Sequence, residues 1–236
     1  MNKPFIGLFQ DIYKTMLNIF GRPIVGWIKG SHPHVLYNPM GYGEVKVVIH
    51  DKDSNPLYDQ PMIVENPGAI IICQRGNKIG LIPSYRFVGE RIIKNSGDYV
   101  KAINENNLWE ELVSKMGKDI WEAPRGIITS TKQEDLESLV IKTAKLEGLQ
   151  EAGFKLDKVR LVGRVNANTT FFFHAQYVVH ARIKNIGKAK LEDTELIGRA
   201  KLFTIEEISQ MQKNGEFVDG LTLAAMALCG ISLPFK

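Results

Sequence analysis

The sequence holds only two cysteines, Cys73 and Cys229, in 236 residues. They are too few for a disulfide scaffold and too far apart for a zinc knuckle, which fits a reducing, cytoplasmic setting. A chain of this length buries roughly 70% of its unfolded surface, so its core needs neither a bridge nor a structural metal. An excess of one charge is also lacking: 30 basic residues face 26 acidic ones, for a formal net charge of +4. With no lysine and arginine run, the balance argues against a nucleic-acid partner and leaves small acidic metabolites open. No apolar run reaches the roughly eighteen residues of a membrane span, because Lys14, Arg22 and Lys29 interrupt the most apolar region. An integral membrane segment is therefore not expected. With a single early lysine and no small-residue cleavage site, a secretory signal is not expected. Internal repeats and low-complexity tracts are absent too.

What is present begins with an amphipathic pattern. Phe5, Leu8, Phe9, Ile12, Tyr13, Met16, Leu17 and Phe20 recur at helical spacing, and Gly21-Arg22-Pro23 ends the helix. Such a helix packs on its own domain or a second subunit, or lies on a membrane surface; its polar face has few basic residues for the latter. Residues 1–43 are read as this helix and an arm, and residues 44–236 as the main domain, with a polar insertion at about 89–118.

The main domain alternates strand and helix patterns. Residues 44–50 and 68–74 are branched and apolar, and the turn chemistry of Asp51 to Pro56 between them predicts that a strand pair opens the domain. Further strands are expected at 79–83, 159–165, 171–182 and 198–203. A helix is expected from Asp135 to Ala152, and Thr204 with Glu207 forms a capping box that starts a closing pair of helices. His174 and His180, six residues apart in one strand, would be ordinary sheet residues about 20 Å apart. His32 and His34 flank Pro33 without an acidic companion, and Asn166 to Thr170 reads as a turn.

The helix from 135 to 152 carries the chemistry. Glu147 and Glu151 lie one above the other on it, with Gln150 beside them, so three oxygen-bearing side chains share a stripe. Such a stripe can be a solvated acidic face balanced by Lys142 and Lys145. It can also hold magnesium, which prefers carboxylate oxygen and bridges protein carboxylates to phosphates.

The run Leu146-Glu147-Gly148-Leu149-Gln150-Glu151-Ala152-Gly153-Phe154 resembles the second half of the Nudix box. Trp121-Glu122-Ala123-Pro124-Arg125-Gly126 looks like the segment that precedes the box in ADP-ribose pyrophosphatases, and Tyr85-Arg86 follows a strand as in that subfamily. Downstream, Glu192-Asp193-Thr194-Glu195, Leu202 to Glu207 and Gly215 to Ala224 are similar to its acidic loop and closing helices. The resemblance spans roughly residues 44–229. It implies an α+β fold, an α/β/α sandwich with a mixed sheet between helices, preceded by the N-terminal helix and strand arm. It also implies hydrolysis of a nucleoside diphosphate derivative, such as ADP-ribose or a nucleotide sugar, with Mg2+ or Mn2+, by a homodimer.

Residue by residue, Glu147 and Glu151 correspond to the metal-holding glutamates, with Gln150 and the Arg125 carbonyl beside them. Glu195 or Glu192 corresponds to the base that orients water, with Glu151 part of the catalytic set; otherwise the two loop acids are exposed charges. Arg86 would contact a phosphate or the distal ribose, or form a surface salt bridge. Arg125 would crowd the metal loop or point to solvent, and Arg75 joins these two arginines as a candidate for anionic substrate.

The box also departs from the pattern. Leu146 stands for its arginine, Gln150 for one glutamate and Gly148 for an apolar residue; the stretch after Gly126 is extended, with Lys132 or Ser138 where an acid belongs. Gly148 costs about 1 kcal/mol in a helix, which implies that a neighbour needs its space. Two readings follow: a metal-dependent pyrophosphatase, or a Nudix-fold nucleotide-binding or protein-interaction module that has lost catalysis.

Overall fold

A computed structural model of the chain describes residues 24–27, 42–50, 55–86, 88, 92–93, 97–115, 117–129, 134–169, 171–191 and 197–234. The expected helix between Phe5 and Phe20 and the histidines at 32 and 34 lie outside these residues. The elements run β1 (Ile24–Trp27), β2 (Tyr42–His50), β3 (Pro56–Glu65), β4 (Gly68–Arg75), β5 (Lys78–Arg86), α1 (Tyr99–Glu105), α2 (Trp109–Lys115), β6 (Lys118–Glu122) and β7 (Arg125–Ile127). They continue with α3 (Leu136–Gln150), β8 (Phe154–Val165), β9 (Phe172–Phe173), β10 (Gln176–Ile186), β11 (Lys201–Thr204), α4 (Ile205–Lys213) and α5 (Gly220–Leu228). None of the described helices is long and apolar enough to cross a membrane.

The chain forms two compact units. One comprises Met1–Pro67 with Asn166–Ala175, the other Gly68–Val165 with Gln176–Lys236. In the first, β2 pairs antiparallel with both β1 and β3, and β3 pairs in parallel with β9. The opening strand pair therefore exists, but the partner of 44–50 is 56–65 and not 68–74. Pro56, Pro61 and the polar Asp59-Gln60 hide β3 from a search for apolar runs.

In the second unit a mixed sheet has the order β11-β5-β4-β10-β8, with β6 on β5 and β7 on β4. Only β4 and β10 are parallel neighbours. β4 explains the layering. Ala69, Ile71 and Cys73 face α3, in one cluster with Val140, Ala144, Val179 and Ala181. Ile70 and Ile72 face the other way, onto Ile208, Phe217, Ala225 and Met226 of the α4–α5 layer. A strand covered on both faces has no polar side to show, so it reads as a continuous apolar run. Each buried isoleucine contributes roughly 1.5–3 kcal/mol. The unit is an α+β sandwich with its sheet between α3 and the α4–α5 pair.

The expected strand at 171–182 is two elements. β9 ends at Phe173 and joins the first unit's sheet, whereas β10 starts at Gln176 beside Gly68. His174 is thus buried off any strand near Glu65, and only His180 sits in a sheet. The branched and aromatic composition runs through the break, so it cannot mark where the chain changes sheets.

α3 matches its expectation. The Asp135 side chain accepts from the Ser138 amide, Glu151 caps the far end, and Gly153 follows at φ +68. A Cβ at Gly153 would meet the Gly187 carbonyl at 2.5 Å, so the turn needs glycine for both its dihedral and its space. Thr204 and Glu207 form both bonds of the capping box.

Candidate functional site

The geometry of α3 sorts its side chains into rows. Val140, Ala144 and Gly148 form the row pressed on the sheet. Glu147 and Glu151 form the adjacent row, one position over, and so lie at the rim of the contact. Gly148 is explained here: a Cβ on it would stand 2.7 Å from the Leu156 side chain of β8. The neighbour that needs its space is a leucine.

Glu151 is buried, and its Oε2 accepts the Arg125 backbone amide at 2.9 Å. Glu147 lies over Gly126, where any Cβ would collide with its carboxylate. Arg125 and Gly126 open β7, which β4 holds by pairing Ile70 with Arg125 and Ala69 with Gly126. The two glutamates therefore meet the backbone of 125–126 through the register of the sheet.

Beside them is a carboxylate that the motif reading gave no role. Glu122 at the end of β6 is fully buried. Arg86 at the end of β5 donates to it from Nε at 3.0 Å to both oxygens and from Nη2 at 2.5 Å. The Arg125 Nη2 donates to its second oxygen at 2.8 Å, and the Arg125 Nη1 lies 3.6 Å from Asp219. Asp219 caps α5: its Oδ2 accepts from the Thr222 amide and from the Thr222 hydroxyl at 2.6 Å. That hydroxyl accepts the Ala123 amide at 2.9 Å and ties the helix to the Trp-Glu-x-Pro segment. Two arginines thus converge on one buried carboxylate, which supplies the charge compensation that burial demands. Burial alone would push the Arg86 guanidinium down. Hydrogen bonds and charge from Glu122, with Glu151 and Asp219 adding, reverse this and hold it above its ordinary value.

Of the alternatives for these two arginines, the ion pair of Arg86 is present, although not at the surface, and Arg125 does not point to solvent, its side chain being 19% exposed. Arg86 makes its ion pair with an interior group, and Arg125 turns to Glu122 and Asp219 while its amide binds Glu151. Arg75 is not brought to the cluster. It sits opposite Lys78 at the β4–β5 turn, while Arg86 lies eight residues further along β5, about 26 Å at strand spacing. Gln150 is half-buried at the end of α3, where its carbonyl accepts from the Lys190 amide. Glu192, Glu195 and Lys132 lie outside the described residues. Glu122, Asp219 and Thr222 were missed as a group. The available signal was an acid directly before Ala-Pro-Arg-Gly, with an Asp-Gly-Leu-Thr helix start near the end of the chain.

Among the described residues, no group of three or more His, Cys, Asp or Glu side chains is arranged to hold a metal ion. The donor set here is Glu147 and Glu151. Two carboxylates suit magnesium, which keeps several of its waters and needs no complete protein cage. Gly126, with no Cβ, lets the Glu147 carboxylate come down onto this backbone. A separate cavity of about 830 Å3, lined by Phe154, Lys188, Leu191, Ile197, Arg199 and Leu202 among others, includes none of the clustered charged residues.

No protein-family model matches the chain, and no curated protein does. Among solved structures it is similar to one described as an ADP compounds hydrolase, with a TM-score of 0.55 at 11% identity over 89% of this chain and 92% of that one. It is also similar to a NUDIX hydrolase from Nitrosomonas europaea, with a TM-score of 0.45 at 15% identity over 72% of this chain and 93% of that one. At these identities the likeness is one of fold alone: an α+β fold shared with the first of these structures.

Proposed function

We propose that the protein hydrolyses the phosphoanhydride of a nucleoside diphosphate linked to another moiety, of the ADP-ribose or nucleotide-sugar class, with a divalent cation and as a homodimer. The observation that carries this reading is the approach of Glu147 and Glu151 to the backbone of Arg125–Gly126, beside the Arg86–Glu122–Arg125 network. A fold shared with an ADP compounds hydrolase supports the substrate class. A magnesium or manganese ion held by Glu147 and Glu151 would offset the negative charge that repels an attacking water and lower the pKa of that water. The protein's own part is positional. Glu122 holds Arg86 with donors left on Nη1 for a phosphate oxygen, and the Arg125 amide orients Glu151. Glu195 or Glu192 would take the proton from the water.

The test is incubation with a panel of dinucleotides and nucleotide sugars with either metal. Release of a nucleoside monophosphate is expected, with turnover in Glu151→Gln lower by about a hundredfold or more. No product from any member of the panel overturns the reading.

A second reading, a binding module without catalysis, is favoured by Leu146. It stands where the resembling box has arginine and is 51% exposed, so that position offers an apolar side chain to solvent in place of a guanidinium. In that case ligands raise the melting temperature without turnover, and the rise does not depend on metal.

A further inference from the structure

The side of the sheet opposite α3 carries a second concave site, at the other end of β4 from Arg125. A cavity of about 390 Å3 is lined by Gln74, Gly76, Lys158, Arg160, His180 and Arg182. Gln74 lies four residues from Ile70, the partner of Arg125, so about 13 Å of strand separates the two places. We propose that this cleft binds a small phosphate-bearing anion.

The cleft is built by an irregularity in β8. Arg182 pairs with Asp157 and His180 with Arg160, so two residues of β8 face one of β10 between them. The extra residue is absorbed at Lys158, which takes a left-handed φ of +48. This is a β-bulge, and bulges re-aim side chains. Here it brings Asp157 and Arg160 to the same face, although an uninterrupted strand would point residues three apart to opposite faces.

Three features suit an anion. First, none of the described residues lining the cleft is a carboxylate. The adjacent acid, Asp157, is taken up by Arg182, which donates to its two oxygens from Nε and Nη2, both at 2.6 Å. Among the described residues Arg160 forms no such ion pair, and Lys158 acts on Asp157 by its charge, without a hydrogen bond. Second, His180 is held in place: Gln74 donates its amide to the Gly76 carbonyl at 2.9 Å, so its oxygen faces His180 Nε2 at 2.8 Å and accepts a hydrogen bond from it. Nδ1 is then the ring position that can gain a proton and donate to an oxyanion. Third, burial and the charge of Arg160 hold the His180 pKa below its ordinary value, and an anion in the cleft would offset both. The groups around His180 are Arg160, Lys158, Arg182 and Gln74 in the cleft, with Asp157 on Arg182 and Cys229 near Arg160.

Calorimetric titration of the full chain with inorganic pyrophosphate, and separately with AMP, in metal-free, low-salt buffer tests the assignment. Saturable binding is expected. It should weaken about tenfold in Arg160→Ala and in Lys158→Gly, a change that suits the positive φ at that position. It should be unchanged in Lys155→Ala, an exposed cation of the same strand outside the cleft. AMP binding as tightly as pyrophosphate would assign a nucleotide as the source of the phosphate; pyrophosphate alone would assign an inorganic one. Saturation should also raise the His180 titration midpoint, read by NMR. No saturable binding of either probe at about 10 mM, equal binding in Arg160→Ala, or a histidine midpoint that does not move overturns the proposal.

Discussion

Arg86 lays Nε and Nη2 against the carboxylate of Glu122, a residue 36 positions away in the chain and wholly shielded from water. The pairing follows from β5 and β6 running antiparallel, with Ile82 opposite Glu122. Arg86, four residues beyond Ile82, points to the same face and reaches back.

That relationship sets the first prediction. Glu122→Gln keeps the shape but leaves two guanidinium groups around a neutral amide. A loss of about 3 kcal/mol is expected, the low end for a broken buried pair, because the Arg86 side chain is 38% exposed and can turn to water. Urea denaturation with a shifted midpoint and an unchanged slope checks it. A loss under about 1 kcal/mol would mean that the network is not the buried one described.

Gly126→Ala separates stability from chemistry. The new methyl displaces the end of the flexible Glu147 side chain. Folding stability should change by less than about 1 kcal/mol, while any metal-dependent turnover should fall about tenfold or more. Kinetics beside thermal melting would decide it, and equal turnover in both proteins would remove Glu147 from the site.

Gly148→Ala tests packing. Alanine gains about 1 kcal/mol of helix propensity, but its Cβ presses on Leu156 at 2.7 Å, and overpacking costs roughly 1–3 kcal/mol. A net destabilisation of about 1 kcal/mol is expected. In the double variant with Leu156→Ala the two losses should sum to less than their parts, as residues in contact do. Strict additivity in denaturation experiments would contradict the contact.

His180 gives a pH dependence with a definite sign. Its pKa is lowered in the folded protein, first by burial and then by Arg160, so the unfolded chain binds the proton more tightly. The neutral ring's contribution is fully present above the unfolded pKa of about 6.5 and is lost as pH falls through the folded value. Stability of the wild type should therefore decline below about pH 6.5 more steeply than that of His180→Gln. Arg160→Ala should raise the NMR titration midpoint; a midpoint that stays put would exclude Arg160 as a cause.

Local patterns in the sequence determined much of this protein. The period of α3, its glutamate row, the Thr204–Glu207 capping box and the twice-covered strand at 68–75 are written in neighbours a few residues apart, which is the range over which helix and strand geometry acts. The motif segments named Arg86, Arg125, Glu147 and Glu151 for the same reason. Only the tertiary structure decided that Arg86 and Arg125 share Glu122, that Arg75 stands far from them, that Leu156 requires Gly148, and that 171–182 divides between two sheets. Each of these depends on strand register and on which element crosses which, and those are settled by burying both faces of a sheet at once. No local spacing encodes that condition.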